Sequence, residues 1–272
     1  MENKRYFVPA VEKAFAILEL FASDNQGYAL SDVSRMLKLP VSTTKSLLNT
    51  MVRCGYLKRD GGRHYSLTMK IITEASRALN QIEIRQVAHE ELKQLTQATS
   101  LACALSVRDG DHLVYIEKIE GAGHIMPVYY AGKSLPLHCT ATGKALLAYL
   151  PDEQVDAIVT SAGLPAYTDH TITILQLLKR ELERVRTQGY SIDNEEVALG
   201  LVGIAAPVFD HSAKAVAAVG AGGTTAEVHQ NMQAIITHVK STALQVSKKL
   251  GYKDTLVTRA YRPRERKTML RS

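Results

Sequence analysis

The stretch SDVSRMLKLPVSTTKSLLNTMVRC, residues 31–54, reads as two short helices joined by a tight turn. Ser31 is the expected N-cap of the first, with Val33, Met36 and Leu37 facing inward. Leu39-Pro40 closes that helix, because the residue before a proline is pushed out of the helical region. The second helix is expected to start near Val41 and Ser42. Its Thr44, Leu47, Leu48, Met51 and Val52 recur at the spacing of one helix face. The opposite face carries Ser42, Thr43, Lys45, Ser46, Asn49 and Arg53, and Gly55 ends the helix.

Upstream, Val11, Ala14, Phe15, Leu18 and Phe21 predict an apolar stripe on a first helix, which Asn25-Gln26-Gly27 breaks. Downstream, Tyr56–Arg59 and Arg63–Leu67 flank Asp60-Gly61-Gly62 as a hairpin with a basic tip. Three helices and a hairpin predict a winged helix-turn-helix. Short side chains at the start of the third helix allow close approach to a major groove. Lys45 can donate to guanine or phosphate, and Asn49 can pair with adenine. Arg59 and Arg63 are placed to reach phosphates or the minor groove. Ser42, Thr43, Lys45, Ser46, Asn49, Arg59 and Arg63 are therefore the candidate contacts to double-stranded DNA. The alternative is that the exposed face of any three-helix domain looks like this.

Charge supports a polyanion at the ends of the chain. Residues 1–80 carry a net +5, residues 81–252 a net −4 and residues 253–272 a net +5. The basic tail is expected to be mobile, and either to add phosphate attraction or to be a solvated terminus. No apolar run is long enough for a transmembrane helix, and Met1–Val8 lacks the apolar segment of a secretory signal. Cys54, Cys103 and Cys139 show no CxxC spacing, which argues for a reducing compartment, here the cytoplasm.

Residues 69–80 look helical and would join the two domains, 1–80 and 81–252. A helix follows, with Ile84, Val87, Ala88, Leu92 and Leu95 on one face. Strands are expected over Leu101–Val107, Leu113–Ile119, Met126–Tyr130, Tyr190–Asp193, Val202–Phe209 and Ala215–Ala221. Helices are expected over Gly143–Tyr149, Asp152–Thr160, Ile174–Thr187 and Thr224–Leu250. The fold class is α+β, with a largely antiparallel sheet in the second domain.

No catalytic, cofactor or metal site is predicted. Gly132-Lys133-Ser134 ends like a phosphate loop, but Pro127 stands where its first glycine belongs. Gly143-Lys144 has His138 at that position and Ala145 for the hydroxyl residue. Gly220-Ala221-Gly222-Gly223 lacks a dinucleotide fingerprint's last small residue, since residue 225 is Thr225. His138-Cys139 would point to opposite faces of an extended segment, not toward one another. Asp193, Glu195 and Glu196 form either a solvated turn or a group from which Asp193 enters a pocket.

Three motifs, in order, resemble the IclR-type bacterial transcriptional regulators: Leu30–Asp60, Leu135–Ala148, and Gly189–Glu196 continuing through Ala198–Leu201 to Ala205–Asp210. The resemblance covers residues 8 to about 252. It implies a winged helix joined by a linker helix to a GAF-like effector domain. It also implies homodimers or homotetramers on partly palindromic operators, controlling catabolism of carbon sources or aromatic compounds. Carried over by position, the effector pocket is formed by the backbone at Ala141 and Thr142, the carboxylate of Asp193, and Gly203, Gly220 and Gly222. Relatives often place a small thiol, hydroxyl or alanine at position 203, and small hydroxyls near the following strand, where this chain has Gly220 and Gly222. Glycine removes these donors, which points to a bulkier or more apolar effector than a two- or three-carbon keto acid, such as an aromatic acid. Alternatively, the glycines ease strand packing. Val41 and Ser46 replace basic residues common in relatives, leaving Lys45 as the main long cation of the recognition helix.

Overall fold

The first of two units, Met1–Gln81, closes around Ile17, Phe21, Val33, Leu48, Met51, Leu57 and Tyr65. The structure, a computed structural model, describes residues 8–23, 27–61, 63–80, 83–122 and 130–253. Helix α1 (Pro9–Ser23) leads to a two-residue strand β1 (Tyr28–Ala29) and helix α2 (Leu30–Met36). Helix α3 (Val41–Arg53), strands β2 (Leu57–Arg59) and β3 (His64–Leu67), and helix α4 (Lys70–Asn80) complete the unit. The strands form one antiparallel sheet in the order β1-β3-β2, with Tyr28 opposite Tyr65 and Leu57 opposite Leu67.

Three expectations change here. Ala29, not Ser31, is the N-cap of α2, and the Asp32 carboxylate accepts the Ala29 amide at 3.3 Å. A carboxylate in the first turn thus does the work expected of a hydroxyl before it. Met36 is 49% exposed, so α2 anchors through Val33 and Leu37. On α1, Val11 and Phe15 are exposed, whereas Ile17 is fully buried. The helix is rotated so that Ala14, Ile17, Leu18 and Phe21 face the core, a stripe of equal periodicity to the expected one. Strand β1 is too short to leave an alternating pattern.

The second unit, Ile82–Ser272, holds a six-stranded sheet in the order β6-β5-β4-β9-β8-β7, with every neighbouring pair antiparallel. In chain order its elements are α5 (Glu83–Thr99), β4 (Ala102–Asp109), β5 (His112–Ile119), β6 (Ser134–Pro136) and α6 (Ala141–Leu147). Then come α7 (Asp152–Ala162), α8 (Leu175–Gln188), β7 (Ser191–Asn194), β8 (Leu201–Phe209), β9 (Ala215–Thr224), α9 (Thr225–Gln230) and α10 (Met232–Lys249). Helix α6 lies on β7, β8 and β9, while α5 and α10 pack together against β4 and β8. The segment expected as one helix over Thr224–Leu250 is two. Thr224 caps α9 through the Glu227 amide, and Asn231 at φ −134° leaves the helical region before α10 begins. Strand β6, an edge strand ending in Pro136, was not expected; proline is tolerated there.

Asn25-Gln26, Gly62, the strand expected over Met126–Tyr130 except Tyr130 itself, and the tail beyond Lys253 lie outside the described residues. Among those described, no helix is long and apolar enough to cross a membrane.

Candidate functional site

The polar face of α3 is built by burying the other one. Thr44, Leu48 and Met51 sink into the core, which leaves Ser42, Lys45, Ser46 and Asn49 exposed and Thr43 half-buried. Pro40 starts the helix, and its carbonyl accepts both the amide (2.9 Å) and the hydroxyl (3.0 Å) of Thr44. The Ser46 hydroxyl donates to the Ser42 carbonyl at 3.1 Å, so it offers a partner only its lone pairs. At the other end, Lys70 of α4 donates to the Cys54 carbonyl at 2.8 Å and lies 4.7 Å from the Tyr56 ring centre, fixing the exit of α3. Arg59 and Arg63 are exposed on either side of the hairpin turn, which is closed by Asp60 donating to the His64 carbonyl. Arg59 stacks 5.6 Å above Tyr65, a rigid support for an otherwise free side chain.

In the second unit, Ala141, Thr142, Asp193, Gly203, Gly220 and Gly222 all line one cavity of about 50 Å³. Sheet register explains the convergence. Asp193 stands opposite Gly203, and Gly203 opposite Gly222, so one row crosses β7, β8 and β9. Helix α6 forms the roof. It is held down by the Ser191 hydroxyl, which donates to the Ala141 carbonyl at 2.6 Å. Thr140 caps it, accepting the Gly143 amide and donating to the Pro136 carbonyl.

Two of the three glycines have a role other than widening the pocket. A Cβ at Gly220 would meet the Thr142 methyl at 2.8 Å, and one at Gly203 would meet the Ala141 Cβ at 3.4 Å. The space they leave is filled by α6, so they bring roof and floor together. A cavity of about 50 Å³ holds a few waters or a compact acid. A larger acid has to displace one wall. Gly220→Ala is expected to lower unfolding free energy by about 1–3 kcal/mol, measured by urea denaturation, with Gly203→Ala costing less.

Asp193 is buried, and its carboxylate accepts the Glu196 amide at 2.8 Å. Burial pushes its carboxyl up to about 7, with the neighbouring Glu196 charge adding to the rise. The three acidic residues therefore separate: Asp193 faces the cavity, and Glu195, at φ 61°, accepts the Gly200 amide at 3.0 Å. Glu196 forms a buried ion pair with Lys144 of α6. Burial raises the Glu196 carboxyl as well, against the pull of the Lys144 ammonium.

Sequence reasoning missed that pair. Its one signal was a lysine inside the small, apolar run Ala141–Ala148, since a cation buried there requires an anion. Among the other cavity residues it missed are Tyr115 and Lys118 of β5. His138 and Cys139 are both buried. His138 Nε2 bonds the Pro165 carbonyl at 3.1 Å, which makes it the donor, and burial depresses its basicity. Burial first, then the Asp193 and Glu196 charges, push the Cys139 thiol up to about 12. A protonated thiol beside an engaged histidine is packing, not a nucleophile–base couple. Among the described residues no cluster of His, Cys, Asp or Glu suits a metal.

Comparison with known proteins covers both units. Residues 10–61 match the family model described as the IclR helix-turn-helix domain, and residues 76–248 match that of the C-terminal part of bacterial IclR transcriptional regulators. The chain is 32% identical over 248 residues to the HTH-type transcriptional regulator XynR of Escherichia coli K12, covering 90% of this chain and 98% of that protein. It resembles the crystal structure of Thermotoga maritima IclR with a TM-score of 0.76 at 31% identity, covering 90% of this chain and 99% of that one. An IclR homologue from Microbacterium hydrocarbonoxydans, solved with 4-hydroxybenzoate, shares the fold with a TM-score of 0.78 at 23% identity, over 89% and 98% of the two chains.

Proposed function

The chain belongs to the IclR family of bacterial transcriptional regulators, and from that premise we propose that it reads a specific operator under the control of an organic acid bound in its second unit. It is a regulator and not an enzyme. Lys45 and Asn49 read base edges from α3, with Ser42, Thr43 and Ser46 lining the close approach. Arg59 and Arg63 hold phosphates or the minor groove. The regulator works in the cytoplasm as a homodimer or homotetramer, so that paired α3 helices meet two half-sites. Effector binding alters the geometry of that pair and so its fit to the operator.

The observation that carries the effector reading is the convergence of α6, β7, β8 and β9 on one cavity with a buried carboxyl at its wall. An organic acid suits it because a protonated Asp193 adds no negative charge to the cavity wall and donates a hydrogen bond to a neutral oxygen of the ligand. The IclR homologue crystallised with 4-hydroxybenzoate is an instance of this fold holding an aromatic acid. The cavity is small here, so an acid the size of 4-hydroxybenzoate requires α6 to shift.

Selecting bound DNA from a random pool at two salt concentrations tests the DNA half. We expect recovery of a palindromic site, and Lys45→Ala should weaken binding to it by about tenfold or more in a gel-shift titration. Recovery of only salt-sensitive, sequence-independent binding would mean that α3 meets phosphates without reading bases. Unchanged affinity in Lys45→Ala would remove that residue from the contacts.

A further inference from the structure

We propose that Lys118 anchors the effector's carboxylate, and that Glu120 is its internal competitor for the same ammonium group. The inference rests on the reading of the cavity as the effector site and names the chemistry of its other wall. Lys118 is the one cation among the described residues that line the cavity. Strand register puts it there. Lys118 stands opposite Ala104, Ala104 opposite Gly220, Gly220 opposite Ala205, and Ala205 opposite Ser191, a single row across five strands. The adjacent row runs Ala102, Gly222, Gly203 and Asp193.

Between Lys118 on β5 and Asp193 on β7, the cavity-lining residues of these two rows are Ala102, Ala104, Gly203, Gly220 and Gly222. No side chain on that floor exceeds a methyl group. The cavity is therefore bipolar, with a cation at one rim and a buried carboxyl at the other. A carboxylate beside Asp193 would set two acids against each other, whereas at Lys118 it gains a charge-assisted hydrogen bond away from water. Asp193 then meets the opposite, neutral end of the ligand, a hydroxyl or carbonyl. This describes an organic anion with its carboxylate at one end and a neutral polar group at the other.

Glu120 supplies the exchange. Its carboxylate lies 2.9 Å from the Lys118 ammonium, yet its own side chain is 71% exposed while that of Lys118 is 10% exposed. A pair with one partner in water is weakly held. An acid inside the cavity meets the same ammonium in a drier place, and Glu120 returns to solvent with little loss.

Calorimetric titration of the full chain with pyruvate, benzoate and 4-hydroxybenzoate, and with benzamide as the uncharged control, tests this. Lys118→Met is expected to weaken the tightest carboxylate by about tenfold to a hundredfold and to leave benzamide unchanged. Glu120→Gln, an exposed change that leaves the cavity wall intact, is expected to strengthen the same carboxylate by about twofold to fivefold. If Lys118→Met binds the carboxylate as wild type does, or Glu120→Gln leaves it unaltered, the proposal falls while the effector reading stands. If no carboxylate binds the wild-type chain, both fall together.

Discussion

Replacing Lys144 with methionine is expected to cost about 3–5 kcal/mol of unfolding free energy, the penalty for leaving one member of a buried ion pair without the other. Lys144 is among the largest fully buried side chains of the protein, and Glu196 is only 5% exposed. The glutamate segment has few ways to relax. The Thr171 hydroxyl donates to the Glu196 carbonyl and the Thr168 hydroxyl to the Glu195 carbonyl, both at 2.6 Å. The stranded carboxyl will instead take up a proton. Burial already raises Glu196 above its ordinary 4.5, and without the ammonium it rises further. A carboxyl raised in the folded state favours folding below its unfolded pKa and loses that contribution as pH rises through the folded value. The variant should therefore be least impaired near pH 4 and most impaired above neutrality. Urea unfolding at several pH values measures this, and a loss below about 1 kcal/mol at pH 8 would contradict it. The double variant Lys144→Met with Glu196→Met should recover most of the loss, since an apolar pair of similar volume replaces a buried ionic one at little cost.

The same pair shows where sequence reading reaches its limit. Helix α3 was legible because Thr44, Leu48 and Met51 lie within eight residues of each other and bury one face. The antiparallel sheet was legible because strands β4, β5, β8 and β9 are long enough to declare themselves between turns. Helix α1 was legible as a helix but not in its rotation. Val11 and Phe15 fit a stripe as well as Ile17 does, and the choice is made by α3 and β3, distant in sequence. Lys144 and Glu196 are separated by 52 residues, so no local pattern joins them. The cavity positions came from family resemblance. What filled the room at Gly203 and Gly220 came from the packing of α6, which no property of a glycine announces. Lys118 reads as one more alternation in a strand until register sets it across from Ala104 and Gly220.

Asp193→Asn is expected to make the protein more stable at pH 8 by up to about 4 kcal/mol, and by under half as much at pH 5. The wild-type carboxyl sits at about 7 against an ordinary 3.8, with burial the main cause. That interval of roughly three pH units, at about 1.36 kcal/mol for each, sets the ceiling. The sign follows from proton binding: between about pH 4 and 7 the folded chain holds a proton that the unfolded chain has released. The stability this group contributes is thus complete below about pH 4 and is lost as pH rises through 7. Asparagine has no proton to lose, and its amide oxygen keeps the acceptor that Asp193 offers the Glu196 amide at 2.8 Å. Urea unfolding of both proteins at pH 5 and pH 8 makes the comparison, and parallel pH dependences would mean that Asp193 titrates at its ordinary value. Binding should report the same proton. An anionic effector meets a hydrogen-bond donor at pH 6 and a second negative charge at pH 8, so wild-type affinity should fall across that range while the asparagine variant stays flat. Lys118→Met should instead weaken binding at both pH values, which separates the wall that recognises the carboxylate from the wall that senses the proton.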